Sequence, residues 1–212
     1  MTRLFLIRHG QSEANLARIF TGSGNFPLTE LGRKQAAATA DYLKDKNIDC
    51  VYASPLVRAF ETGRAVSDLC NVPIIPEDGL KEINAGEWEG KLFDDLVTLY
   101  PESYSTWLND IGRCTPDGGE SVSDLYSRAV NTILKLVNQN PDKNLAIATH
   151  ATPIRALGAY WSGIGAENLK DIQWAANASI TSVCYEDGKF FDFNYSFCDH
   201  LGDIVTGLPR NV

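Results

Sequence analysis

The chain has 212 residues, 44% of them apolar and 22% charged, with 19 basic against 27 acidic side chains and a net charge of −8. That length suits one domain with a sizeable core, and the composition excludes a disordered chain. The negative charge argues against nucleic acid and anionic lipid as partners, since both are polyanions.

No apolar run approaches the ~20 residues of a bilayer span, so no membrane association is expected. Four apolar residues, Leu4 to Ile7, are followed at once by Arg8, so no signal-peptide core fits there. Cys50, Cys70, Cys114, Cys184 and Cys198 are scattered, odd in number and without a C-x-x-C pair. They are expected to be small apolar residues in a reducing cytoplasm, rather than a disulfide framework or zinc ribbon.

Residues 3–7 predict a short buried strand that ends at Arg8-His9-Gly10. Thr29 predicts the N-cap of a helix carrying Leu31, Ala36, Ala37, Ala40 and Leu43 at helical spacing, with Gly32 an early weak point. Residues 49–53 predict a second strand. Ser54-Pro55 then predicts a cap and first helical position of a helix running to about Leu69. Residues 72–75 predict an edge strand, because Pro73 lacks a ladder donor.

Residues 84–118 break the alternation of strands and helices. They hold Trp88, Phe93, Tyr100, Tyr104 and Trp107, and are expected to form a helical lid folded over the sheet. Ser121 then starts a helix to 139, with Asp124 giving a short-acid version of a capping box. Leu145 to Ala148 predict a strand ending at Thr149-His150, with a helix from about Pro153 to Trp161. Residues 180–185 and 190–193 predict a closing hairpin turning at Asp187-Gly188. The pattern predicts one α/β domain over 1–212: a three-layer sandwich with a mostly parallel sheet, helices on both faces and the lid insertion.

His9 and His150 each directly follow a predicted strand, where open α/β sheets bind ligands. Two of the chain's three histidines at such ends suggest a shared site, although a single histidine there is ordinarily structural. Arg8 precedes His9, Arg58 lies in the first turn after the second strand, and Arg155 follows His150. Guanidinium forks and helix N-termini suit phosphate oxygens, although any one of these arginines could instead pair with a surface carboxylate.

The segment from Leu6 to Asn15, LIRHGQSEAN, resembles the Arg-His-Gly signature of the histidine phosphatase superfamily, the phosphoglycerate-mutase-like proteins. The resemblance continues in order through Phe20-Thr21-Gly22, Pro27 to Gly32, Ser54-Pro55-Leu56-x-Arg58-Ala59-x-Glu61-Thr62 and Leu80-Lys81-Glu82-Ile83. Gly86 to Gly90, Gly118-Gly119-Glu120-Ser121 and Thr149-His150 complete it, over residues 4 to about 160.

The resemblance implies a phosphohistidine mechanism. His9 would be the nucleophile. Arg8, Arg58 and His150 would hold the phosphoryl oxygens, and Glu82 would act as general acid and then base. Asn15, Thr21, Gly22 and the Ala151 backbone would contact the substrate; Gln11 and Ser12 share the same loop. Ala151 departs from the family, which often has glycine there. His200 resembles a histidine of the family tail, and Glu120 matches a family position that helix initiation also explains.

Three functions then compete: a metal-independent phosphomonoesterase, a cofactor-primed mutase and a non-catalytic phosphoester binder. No cofactor or metal is expected. Every catalytic position is filled, which argues against the binder. Residues 84–113 carry six acidic residues against Lys91 and Arg113, a net −4, where mutases of the family carry a basic set. A phosphatase acting on a small molecule with one phosphate and a neutral, cationic or apolar remainder is the expected function. The substrate and the oligomeric state are not readable from the sequence.

Overall fold

The computed structural model describes residues 1–207. Six strands, β1 (Thr2–Arg8), β2 (Cys50–Ala53), β3 (Ile74–Pro76), β4 (Asn144–Thr149), β5 (Ile180–Glu186) and β6 (Lys189–Phe197), form one sheet in the order β3-β2-β4-β1-β5-β6. β3, β2, β4 and β1 run parallel, while β5 and β6 add antiparallel neighbours at one side. The predicted edge strand does lie at the edge, and Asp187 and Gly188 both take positive φ in the β5–β6 turn.

Successive strand residues face opposite ways, and two cores result. Leu4, Leu6, Tyr52, Leu145 and Ile147 pack against α6 (Val122–Gln139) and α7 (Ala151–Trp161). Phe5, Ile7, Val51 and Ala146 pack against α2 (Glu30–Leu43) and α3 (Val57–Cys70). This is the expected α/β arrangement with helices on both faces. A five-residue helix, α1 (Glu13–Ala17), lies between β1 and α2.

Residues 84–118 form α4 (Phe93–Leu99), α5 (Pro101–Asn109) and two short 3-10 turns. Their aromatic side chains build a third core, in which Phe20, Trp88, Tyr104 and Trp107 pack with Val122 and Leu125 of α6 and Ala156 of α7. The contacts are edge-on, with Phe20 to Trp88 at 5.2 Å and Trp88 to Tyr104 at 5.6 Å between ring centroids.

Two helix starts differ from expectation. Ser54 does not cap α3, which begins at Val57 with Leu56 as its cap residue and no side-chain cap bond. Asn25 Oδ1 accepts from Val57 N–H at 2.7 Å instead. α7 begins at Ala151 rather than near Pro153, directly after His150. Thr29 and Ser121 cap α2 and α6 as predicted, accepting from Gly32 and Asp124 N–H. Gly32 is a close-approach position: a Cβ there would lie 2.0 Å from the Gln11 carbonyl oxygen.

Candidate active site

The sheet register brings the two histidines together. Arg8 of β1 pairs with Thr149 of β4, so the next residues, His9 and His150, emerge side by side. His9 N–H donates to the Thr149 carbonyl at 3.0 Å, and the rings meet edge to face at 5.2 Å. From this end the chain passes from β1 to α2 on one face and from β4 to α7 on the other. That divergence opens a crevice at the strands' carboxyl ends.

His9 Nδ1 lies 2.7 Å from the Gly10 carbonyl, which can only accept, so Nδ1 holds the proton and Nε2 keeps its lone pair. Arg58 Nε donates to that Nε2 at 3.2 Å. Burial, then the positive charges of Arg58 and Arg8, hold His9 well below the ordinary imidazole range. Burial, followed by Arg58, His9, Arg8 and Arg128, does the same to His150. Both rings are therefore neutral at pH 7. His150 Nε2 pairs with Ser54 Oγ at 2.8 Å, which explains why Ser54 is not a helix cap.

Arg58 is fully buried, and its fork donates to the Gly24 and Gly22 carbonyls, each at 2.7 Å. Arg8 donates to the Ala175 carbonyl at 2.6 Å. Burial lowers both guanidinium groups to about 10, against the opposing pull of Glu82, so both stay charged at neutral pH. Arg8 Nε and His150 Nδ1 are buried without a hydrogen-bond partner among the described residues.

Glu82 follows a 3-10 turn, Asp78–Leu80, and its carboxylate accepts from Ile83 N–H at 2.9 Å and Thr152 N–H at 3.3 Å. Its segment is clamped from behind. Arg128 of α6 donates to the Gly79 and Lys81 carbonyls, each at 2.9 Å, and grips both oxygens of Glu120. Glu120 therefore serves this clamp and does not line the pocket.

The loop of residues 21–24 wraps a carboxylate: Glu89 accepts from the N–H groups of Gly22, Ser23 and Gly24. A Cβ on Gly22 would lie 1.8 Å from the Ile83 carbonyl oxygen, so only glycine fits there. Gly22 thus meets the site through its carbonyl on Arg58 rather than through a free N–H.

Arg8, His9, Asn15, Thr21, Arg58, Glu82 and Ala151 line one pocket; His150 and Gly22 are buried and do not line it, His150 packing against the His9 ring and Gly22 accepting from Arg58. Ala151 sits in the first turn of α7 without positive φ, so the substitution for glycine brings no strain. Asn15 Oδ1 accepts from Ser12 N–H and from Asn177 Nδ2, which also donates to the His9 carbonyl at 3.1 Å. His200 is elsewhere, with Nε2 3.1 Å from both Thr39 Oγ1 and the Ala178 carbonyl. Arg155 also leaves the phosphoryl site, donating to the Ile172 and Lys170 carbonyls.

The rest of the pocket wall is Ile19, Phe20, Ile83, Phe93, Thr152, Trp107 and Trp174. None of the six acidic residues of 84–113 lines it. Glu89 serves the 21–24 loop, Asp94 pairs with Arg18, and Asp110 with Arg113. The upper pocket is apolar rather than acidic, so any bar to a second anion comes from missing cations and not from facing carboxylates. Ser54, Thr152, Asn177 and Trp174 were not among the predicted site residues. Only the first belongs to a quoted motif, and its Ser-Pro pair reads equally as a cap.

Comparison with known proteins agrees with this architecture. A family model described as the histidine phosphatase superfamily (branch 1) matches residues 4–193. Phosphoserine phosphatase 1 of Hydrogenobacter thermophilus is 28% identical over 213 residues, covering all of both chains. The adenosylcobalamin/alpha-ribazole phosphatase of Salmonella typhimurium is 37% identical over 150 residues, 70% of this chain and 73% of that one. The solved structure of Bacillus stearothermophilus YhfR superposes with a TM-score of 0.91 at 27% identity, covering 95% of this chain and all of the other. The chain belongs to the histidine phosphatase superfamily, and the relatives whose names state an activity here are phosphatases.

Proposed function

We propose that the protein is a metal-independent phosphomonoesterase that works through a phosphohistidine on His9. His9 Nε2 attacks phosphorus in line, forming the N–P bond as the ester P–O bond breaks. Glu82 gives its proton to the departing alcohol oxygen. It then takes a proton from the water that attacks phosphorus, breaks the N–P bond and releases inorganic phosphate. Arg8, Arg58 and His150 stabilise the charge on the equatorial oxygens, with Asn15, Thr21 and the Ala151 N–H as further contacts.

The observation that supports this reading is the proton placement at His9: Nδ1 donates to the Gly10 carbonyl, which leaves Nε2 unprotonated, and its lone pair is held only by the 3.2 Å bond from Arg58, a donor that an entering phosphoryl oxygen would take over. The buried, unpartnered Arg8 Nε adds weight, since leaving such a donor unmet costs about 1–3 kcal/mol that a phosphoryl oxygen would recover.

The substrate is a small molecule with a single phosphate. Among the described residues Arg8 and Arg58 are the only cationic side chains lining the pocket, and both sit at the phosphoryl end. A bisphosphate, as a mutase must hold, would leave its second anion unpaired in a partly desolvated site. Phosphate release from 4-nitrophenyl phosphate and a panel of small monoesters tests the proposal. Release at a useful rate in the presence of a chelator is expected; no release from any ester would refute it.

A further inference from the structure

Trp174 stands on the wall of the pocket, half-buried, in the segment that joins α7 to β5. Arg155, itself buried, lies under its ring with the guanidinium carbon 4.3 Å from the centroid. The other donors of Arg155 hold the strand of chain that leads to Trp174, through the Ile172 carbonyl at 2.6 Å and the Lys170 carbonyl at 3.3 Å. Trp107 flanks the platform at 5.9 Å between ring centroids, and Phe93 and Ile19 complete the wall. The platform is thus fixed before any ligand arrives.

The buried cation has an electrostatic consequence. A tryptophan face attracts cations through the negative potential of its π cloud. Here one such interaction is already made with Arg155, which draws the potential toward itself and leaves the ring a poor site for a second cation. Among the described residues the charged groups lining the pocket are Arg8, Arg58 and Glu82, all at the phosphoryl end, so an ammonium group finds no carboxylate partner on the Trp174 wall. A carboxylate finds no cation on this wall among the described residues, because Arg155 lies behind the Trp174 ring and donates to the Ile172 and Lys170 carbonyls. Of the neutral, cationic and apolar remainders that one-phosphate substrates offer, the wall therefore suits the neutral and apolar ones.

We infer that the leaving group is an uncharged alcohol bearing an apolar, preferably planar, group that packs on Trp174, and that Arg155 is a positioning residue that sets this selectivity. The inference rests on the phosphatase reading for which end of the substrate meets His9. It separates this chain from any relative that takes an amino-acid phosphate.

Two comparisons test it. Propyl phosphate and phosphoethanolamine are isosteric and differ in a methyl against an ammonium; benzyl phosphate and O-phosphoserine contrast a planar apolar group with a zwitterion. In the wild type, kcat/KM should favour propyl over ethanolamine by about 10-fold or more, and benzyl over phosphoserine by more. Trp174→Ala should lower kcat/KM for benzyl phosphate about 10-fold, mainly through KM, while ethyl phosphate changes less than about threefold. Arg155→Leu should narrow the propyl-to-ethanolamine ratio, a change that mere loosening of the fold would not produce.

The same pairs bound to His9→Ala at equilibrium separate the two readings. Binding in the expected order without wild-type turnover would remove the phosphatase reading and keep the selectivity. Preference for phosphoethanolamine or phosphoserine, in binding or turnover, would overturn the selectivity, as would equal losses on ethyl and benzyl phosphate in Trp174→Ala.

Discussion

Arg58 Nε donates to His9 Nε2 at 3.2 Å, so one guanidinium holds the lone pair of the candidate nucleophile while its other two nitrogens tie down the Gly22 and Gly24 carbonyls. A lysine keeps the charge but cannot present this planar fork. Arg58→Lys should therefore lower kcat/KM by about 10²-fold or more, the scale of losing one preorganised donor. Steady-state kinetics with 4-nitrophenyl phosphate checks this; a loss under threefold would mean that the fork does not matter.

The buried neutral histidines make stability depend on pH. His9 and His150 have folded-state values well below 6.5, so as pH falls through 6.5 the unfolded chain takes up protons that the folded one does not. Stability is therefore full above that point and declines below it, by up to about 1.4 kcal/mol per pH unit for each ring. His200, also lowered by burial, adds the same sign. Urea midpoints should drop between pH 7.5 and 5.5, with a shallower drop in His150→Gln. A midpoint that rises over this range would contradict the assignment of neutral rings.

The proposed mechanism has Glu82 protonate the leaving group, and that help matters most when the leaving group is poor. Glu82→Gln should lower kcat/KM, which reports phosphorylation of His9, about 10²–10⁴-fold for alkyl phosphates while sparing it for 4-nitrophenyl phosphate, whose phenolate leaves unaided; kcat falls for both esters where the water attack that also uses Glu82 limits turnover. Equal losses in kcat/KM on both esters would remove Glu82 from this role.

Phosphatase and mutase chemistry diverge after the phosphohistidine forms. A mutase must keep a bisphosphate in place, and among the described residues no third cation lines this pocket. In an enolase-coupled assay primed with 2,3-bisphosphoglycerate, interconversion of 2- and 3-phosphoglycerate should stay far below monoester hydrolysis. Hydrolysis should persist in chelator, and vanadate should inhibit it, if Arg8 and Arg58 supply the charge that a metal would otherwise provide, as proposed. Mutase turnover above hydrolysis would reverse the reading.

The alternation of apolar strands with capped helices made the sheet legible, because strands buried on both faces and caps such as Thr29 leave local signatures. Ser54 misled for a local reason: Ser-Pro ahead of a helix is a good cap, and its actual partner, His150, lies 96 residues away. Pro153 suggested a late start for α7, whereas the helix starts two residues earlier and carries the proline in its first turn. The lid acids were countable, but their direction was not. Glu89 turns into the 21–24 loop and Asp94 toward Arg18, so the upper wall they were expected to charge is apolar. Trp174 belongs to no motif, and only the fold of the segment after α7 brings it to the site.

The central claim is a covalent phosphoryl group on His9, and rapid quench with a ³²P-labelled monoester reads it directly. Label should accumulate within one turnover, survive alkali, be lost in acid and map to the peptide containing His9; His9→Ala should take up none. Label on a serine or aspartate, or equal labelling of the His9→Ala protein, would contradict the account.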